Sequence, residues 1–267
     1  MARMPTIYMP HGGGPWPFVS LGLPAAELAA LRGWLEGIAG RLPAKPKAIV
    51  CVSAHWEAPQ ATVQTAPKPP MLFDYYGFPA DAYRLSWPAA TAPAIAARVR
   101  ALLEQAGLPS AEDADRGYDH GTFVPLMVAW PGAEVPTLQL SLLSSLDPAA
   151  HIALGKALAP LRDEGVLILG SGMSFHNLPA FFGRGPRRPD AALDFDAWLR
   201  RTVVLSQVER EAALRTWTEA PGARYAHPRE EHLLPLHVVA GAAGADPGRV
   251  DFSGTFGGQP ISAAWYG

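Results

Sequence analysis

The chain has 267 residues, 49% of them hydrophobic and 17% charged, enough to bury one sizeable core without staples. Twenty-two basic residues stand against 24 acidic ones, a net charge of −2, which excludes a strongly basic nucleic-acid binder. A single cysteine, Cys51, excludes an internal disulfide framework and a thiolate zinc cluster.

In chain order, apolar runs of strand length alternate with helical patterns. Thr6-Ile7-Tyr8-Met9 is the first strand, and Leu28, Leu31, Leu35 and Ile38 then fall three and four apart on one helical face. Lys47 to Val52 and Ala61 to Thr65 read as strands, and the first of them carries Cys51 as a buried, inert thiol. Ile95, Val99 and Leu102 repeat the helical spacing before a strand at Pro136 to Leu142. Asp147-Pro148 reads as an N-cap with Pro at N1, opening a helix through Ile152, Leu158 and Leu161. After a strand at Val166 to Leu169, Asp190 caps a helix through Trp198, and Ser206 with Glu209 forms a capping box. Glu230 and Glu231 open a helix carrying His232, and Gly241 to Gly248 is a turn before the final strands.

Strands apolar throughout are covered on both faces. The expected fold is therefore α/β: a single-domain sandwich over residues 1–267 around a mixed, mainly parallel sheet. No charged or Ser-rich linker divides the chain. No apolar stretch approaches the roughly 20 residues of a membrane span, and the N-terminus lacks a secretory signal pattern. A soluble cytoplasmic protein is expected, with no membrane partner.

The placement of the eight histidines is the informative feature. His11, His55 and His176 each follow a strand, in His11-Gly-Gly-Gly-Pro15, Ser53-Ala-His-Trp56 and Gly170-Ser-Gly-Met-Ser-Phe-His-Asn177. Ligands in open α/β sheets bind beyond the carboxyl ends of the strands, so parallel strands bring these three to one edge. Clustered imidazoles there suggest a metal or acid/base site, and imidazole nitrogen suits zinc and ferrous iron alike. His232 supplies a further donor from another element. His151 and His237 sit in helical patterns as surface or packed residues, and His227 is evenly balanced between function and structure.

With Asp119-His-Gly121 and Glu230-Glu-His-Leu-Leu-Pro-Leu236, these stretches form five motifs in order, each containing histidine. The set resembles the 4,5-DOPA extradiol dioxygenase group of the class III extradiol ring-cleaving dioxygenases, alongside the protocatechuate 4,5-dioxygenase catalytic subunit. The resemblance runs from residue 6 to about residue 240, and the family fold it implies is an α/β sandwich. It implies metal ligation by His11, His55 and His232, with Glu231 as the alternative third ligand. His176 becomes the active-site acid/base, with a fourth-ligand role left open, and His120 a second pocket histidine that hydrogen-bonds developing negative charge. The implied cofactor is Fe(II), with Zn(II) as a frequent occupant. The implied partners are a small aromatic, catecholic substrate and O2; homo-oligomer formation is left open.

Three other readings compete. Gly12-Gly13-Gly14 lacks the Gly-Lys-Ser/Thr ending of a phosphate loop. Ser171 or Ser174 with His176 suggests a serine hydrolase, although the segment lacks a Gly-x-Ser-x-Gly elbow. A Memo-like binding module on the same fold is the third. For the substrate, Trp56, Tyr75, Tyr76, Phe78, Trp87 and Phe123 offer an aromatic lining, and Arg84, Arg116, Arg184 or Arg224 a carboxylate contact.

Overall fold

The computed structural model describes residues 2–181, 183–185 and 187–267. Eight strands form one sheet: β1 (Thr6–Pro10), β2 (Ala48–Ala58), β3 (Ala61–Gln64), β4 (Ser110–Asp113), β5 (Thr137–Leu143), β6 (Val166–Gly172), β7 (Gly248–Phe256) and β8 (Gln259–Tyr266). Their order is β4-β3-β5-β2-β6-β1-β8-β7. The central four, β5-β2-β6-β1, are mutually parallel, and antiparallel pairs join β3 to β5, β8 to β1 and β7 to β8. The sheet is thus mixed and mostly parallel, as expected.

The apolar runs have a direct explanation. Ile49 and Cys51 of β2 with Leu167 and Leu169 of β6 join one core, while Ala48, Val50 and Val52 with Val166 and Ile168 join another. Alternating side chains therefore enter opposite faces, and both faces are covered. The first core includes Leu31, Trp34 and Leu35 of α1 (Ala25–Glu36); the second includes Val99 and Leu102 of α2 (Pro93–Gln105). The buried helix α3 (His120–Ala129) and the half-buried α4 (Pro148–Leu158) follow, then α5 (Pro189–Val203) and α6 (Gln207–Arg215), which carries the expected Ser206–Glu209 capping box. Helix α7 (Leu234–Ala243) is buried along its whole length and packs on β6 and α4. Among the described residues no helix is long and apolar enough to cross a membrane.

Several boundaries differ from expectation. Strand β2 continues past Val52 to Ala58, and β6 continues past Leu169 to Gly172. The helix opened by Asp147 stops at Leu158, and a separate turn, Pro160–Asp163, carries Leu161, because Pro160 cannot continue the ladder. Helix α1 ends at Glu36, and Ile38 opens the next short turn. Asp190 lies inside the first turn of α5, whose N-cap is Arg188 ahead of Pro189. Helix α7 begins at Leu234, so His232 precedes it, and Gly241 belongs to the helix rather than to the turn. The short edge strand β4 has no distinctive sequence pattern and adds to the expected strands.

Three histidines outside the five motifs are buried. His151 accepts from the Leu143 amide and faces the Asp147 carbonyl, so a neutral ring satisfies both nitrogens. His227 Nε2 faces the Ser174 carbonyl at 2.9 Å. His237 faces the carbonyls of Leu233 and Leu214 at 3.2 and 2.9 Å, and burial pushes its pKa down to about 4. Between pH 6.5 and 4 the unfolded chain therefore takes up a proton that the folded chain refuses, and stability falls as pH falls. His237 contributes about 3 kcal/mol of loss across that window. Urea midpoints measured from about pH 8 to about pH 4 should show His237→Gln destabilised at the upper end but with a slope shallower by about one proton. An unchanged slope would remove His237 from the acid response.

Candidate active site

Neighbouring parallel strands β2, β6 and β1 end at one edge, and the histidines leave from that edge. His11 follows Pro10, and its amide donates to the Gly172 carbonyl at 3.0 Å, extending the β1–β6 ladder by one residue. His55 lies inside β2, where pairing with β5 breaks after Val52 and resumes at Glu57. His55 thus projects from a locally irregular stretch of the strand. His120 is the first residue of α3, after the N-cap Asp119, whose carboxylate accepts from the Thr122 amide. His232 sits in the turn before α7, with its carbonyl held by the Tyr8 hydroxyl at 2.8 Å and the Met173 amide at 3.2 Å. A Cβ at Gly172 would stand 2.2 Å from that carbonyl oxygen, so only glycine permits this approach.

The four rings of His11, His55, His120 and His232 cluster tightly. Centroids lie 4.9 Å apart for His11–His55, 5.2 Å for His11–His232, 4.9 Å for His55–His232 and 4.0 Å for His55–His120. His176 stacks on His232 with centroids 3.3 Å apart and planes at 15°. The five histidines named from the sequence thus occupy one site. Ligand atoms of His11, His55 and His120 lie within 4.8 Å of one another, as do those of His176, Glu231 and His232.

Two carboxylates orient these rings. Asp74 Oδ1 accepts from the His120 amide at 2.9 Å and lies 2.8 Å from its Nδ1, while Oδ2 lies 3.5 Å from His55 Nδ1. Glu231 Oε1 lies 2.9 Å from His232 Nδ1 and 3.3 Å from His176 Nδ1. Burial alone would raise both acids. The hydrogen bond and charge of His120 outweigh it and bring Asp74 to about 2; contacts with His176 and Arg229 hold Glu231 below its ordinary range. Asp74 carries no spacing cue in the sequence and is absent from the expected site. Glu231 enters that expectation only as a rival ligand.

The donor set fits a metal ion. His11 Nε2 and His55 Nε2 are 3.3 Å apart, and two nitrogens sharing one tetrahedral ion at roughly 2.0–2.1 Å stand about 3.3 Å apart. His11 Nδ1 and His232 Nε2 are buried without a protein partner. Burial, reinforced by the neighbouring imidazoles, pushes His11, His55 and His232 well below the usual histidine range. They are therefore neutral near pH 7, the form that carries a lone pair for a metal.

The competing chemistries are not assembled. The Ser171 hydroxyl donates to the Gly121 carbonyl, and the Ser174 hydroxyl accepts from the Ser262 amide at 2.7 Å, so neither engages His176. Cys51 is buried, and burial pushes its thiol up to about 12. Of the aromatic residues, Tyr75 approaches His120 at 5.8 Å and contacts Phe123 and Phe78, whereas Trp87 packs in the core and Tyr76 is 92% exposed. Arg84 pairs with Asp81, Arg116 with Asp119, and Arg224 with Glu230.

Residues 6–257 match the family described as the catalytic LigB subunit of aromatic ring-opening dioxygenase. The chain belongs to this family. A 4,5-DOPA dioxygenase extradiol of Beta vulgaris is 40% identical over 244 residues, covering 90% of this chain and 87% of the relative. A protein of the same name from Escherichia coli K12 is 34% identical over 242 residues, covering 90% and 85%. The crystal structure of an uncharacterised Escherichia coli K12 protein superposes with a TM-score of 0.79 at 30% identity, covering 99% of this chain and all of that one. As a LigB-family member the chain is a ring-cleavage dioxygenase, an oxidoreductase of a metal-dependent family acting on a small aromatic substrate with O2. The binding-module reading falls away.

Helix α3 crosses β2 so closely that a Cβ on Gly121 would stand 2.7 Å from Ser53 Oγ and 2.8 Å from His55 Cδ2. Gly121→Ala should therefore displace the His55 ring and weaken zinc binding roughly 10–100-fold, read by competition titration. The fold should survive with a loss of about 1–3 kcal/mol. Wild-type zinc affinity in this variant would show that His55 placement is irrelevant to metal binding.

Proposed function

We propose that the chain, as one catalytic domain over residues 1–267, is a cytoplasmic extradiol dioxygenase that opens a DOPA-like catechol ring beside its two hydroxyls with both atoms of O2. His11, His55 and His232 hold one metal ion, Fe(II) for activity, with Zn(II) able to occupy the same donors. The observation that carries the reading is the convergence of neutral imidazoles at the strand ends, with His11 and His55 Nε2 at 3.3 Å and His232 Nε2 buried without a partner. Held by these donors, such an ion would act as a Lewis acid that acidifies a catechol hydroxyl and would bring O2 to the substrate.

The protein's own part is proton handling and orientation. His176, with Nδ1 toward Glu231, presents Nε2 as the base that takes the second catechol proton. It returns that proton to the oxygen that leaves when the O–O bond breaks. His120, with Nδ1 on Asp74, is the residue that donates from Nε2 to negative charge developing on oxygen when its ring carries both protons, with Asp74 balancing the charge. Tyr75 and Phe123, close to each other and on the His120 side, supply apolar surface for an aromatic ring.

A second reading exchanges His120 and His232 as third ligand, favoured by the mutual closeness of donor atoms in His11, His55 and His120. The orphaned Nε2 of His232 supports the first reading. Metal analysis separates them: His232→Ala should lose stoichiometric metal, whereas His120→Ala should keep it. The reverse pattern would exchange the two roles.

Anaerobically iron-loaded protein given a para-substituted catechol under ¹⁸O₂ should form a yellow semialdehyde carrying both labelled atoms before exchange with water. A muconate-type diacid, or no product from any catechol, would contradict the proposal. His176→Ala should retain metal and bind catechol while turnover falls about 10²–10⁴-fold. Loss of the metal in that variant would make His176 a ligand.

A further inference from the structure

One residue at the site has a position that neither ligation nor proton transfer uses. A single oxygen of Glu231, Oε1, faces Nδ1 of both His232 and His176 at 2.9 and 3.3 Å. The two rings lie nearly parallel, centroids 3.3 Å apart, so both Nδ1 atoms meet the carboxylate from one side. The other oxygen, Oε2, lies 3.3 Å from the Arg229 guanidinium, which makes two 2.6 Å hydrogen bonds to Glu57 on β2.

A carboxylate oxygen accepts hydrogen bonds, so these contacts, a hydrogen bond at His232 and a 3.3 Å approach at His176, favour the hydrogen on each facing Nδ1. A neutral ring with its proton on Nδ1 has its lone pair on Nε2. We infer that Glu231 is a positioning residue that sets the tautomer of His232 and of His176 together, so that both present Nε2 lone pairs to the reaction site. The inference rests on the roles proposed above, His232 as ligand and His176 as acid/base. Arg229, anchored by Glu57, fixes the carboxylate against rotation. Within the stacked pair, the buried ring of His232 offers Nε2 to the ion, and the more accessible ring of His176 offers Nε2 to the substrate proton.

Tautomers can be read directly, independently of turnover. In ¹⁵N-edited NMR spectra of the full-length protein, metal-free and zinc-loaded, His176 and His232 should both show protonated Nδ1. In Glu231→Ala both rings should shift toward the Nε2–H form in the metal-free protein. Zinc affinity should fall roughly 10–100-fold, with one ion still bound at saturation. Glu231→Gln keeps an acceptor oxygen at the same place and should restore the Nδ1–H form in both rings. In the iron-loaded enzyme Glu231→Ala should lower kcat at least tenfold with less than a threefold change in catechol KM. Unchanged tautomers in Glu231→Ala, a change confined to one ring, or a Gln variant indistinguishable from Ala would overturn the inference. Complete loss of zinc at saturation would do so too, making Glu231 a ligand. A chain without catechol turnover would still give the tautomer and zinc results, so failure of the functional proposal is separable from failure here.

Discussion

Asp119 is fully buried, and its carboxylate accepts from Ser53 Oγ at 2.7 Å, Gln139 Nε2 at 2.6 Å, the Arg116 guanidinium at 2.9 Å and the Thr122 amide at 3.1 Å. A buried carboxylate without such partners costs several kcal/mol, so these contacts hold their elements together or the fold loses them together. Ser53 belongs to the irregular stretch of β2, Gln139 to β5, and Thr122 to α3. The same Ser53 hydroxyl accepts from the His55 amide at 3.2 Å. One carboxylate thus fixes both the irregular stretch of β2 that carries His55 and the starting point of the helix that carries His120. It also explains why residue 121 must be glycine, since the helix is drawn onto Ser53 and His55.

Above this anchor the histidines are held at a cost. His11, His55 and His232 are desolvated, and neighbouring imidazoles oppose their protonation, so these three rings are held neutral. Neutral rings facing one another set the Nε2 atoms of His11 and His55 against each other at 3.3 Å and leave His232 Nε2 without a partner. A metal ion relieves that state by accepting the lone pairs, and its binding energy then adds to folding stability. Asp74 and Glu231 act from opposite sides of the cluster, Asp74 toward His55 and His120, Glu231 toward His176 and His232. Under the proposed roles, each carboxylate serves one metal ligand and one proton-handling histidine.

Much of this is legible in the sequence. Strand-length apolar runs point to a sheet covered on both faces because alternation is absent when two cores flank a strand. Parallel strands deliver their carboxyl ends to one edge, which brings His11, His55 and His176 together, while His120 and His232 join the expected site through the family resemblance of their motifs. What is not legible arises from contacts distant in sequence. Asp74 lies in an aromatic loop and meets His120 only through the tertiary fold. The extension of β2 through His55 depends on a broken register with β5, which no local spacing announces. The start of α7 after His232, rather than before it, follows from the Tyr8 hydroxyl and the Met173 amide capturing the His232 carbonyl, which Gly172 leaves room for, and Pro235 in the first turn is the only local sign. Asp119 reads equally well as a turn residue because three of its side-chain partners, Ser53, Arg116 and Gln139, lie outside its own helix turn.

If the strand-end histidines hold one ion through three imidazoles, anomalous diffraction at the zinc edge from zinc-loaded crystals will locate it. One peak is expected, with nitrogens of His11, His55 and His232 at roughly 2.0–2.1 Å, and with Glu231 and His120 outside the coordination shell. A peak coordinated by a Glu231 oxygen, by His120 in place of His232, or lying away from this cluster would contradict the three-imidazole centre.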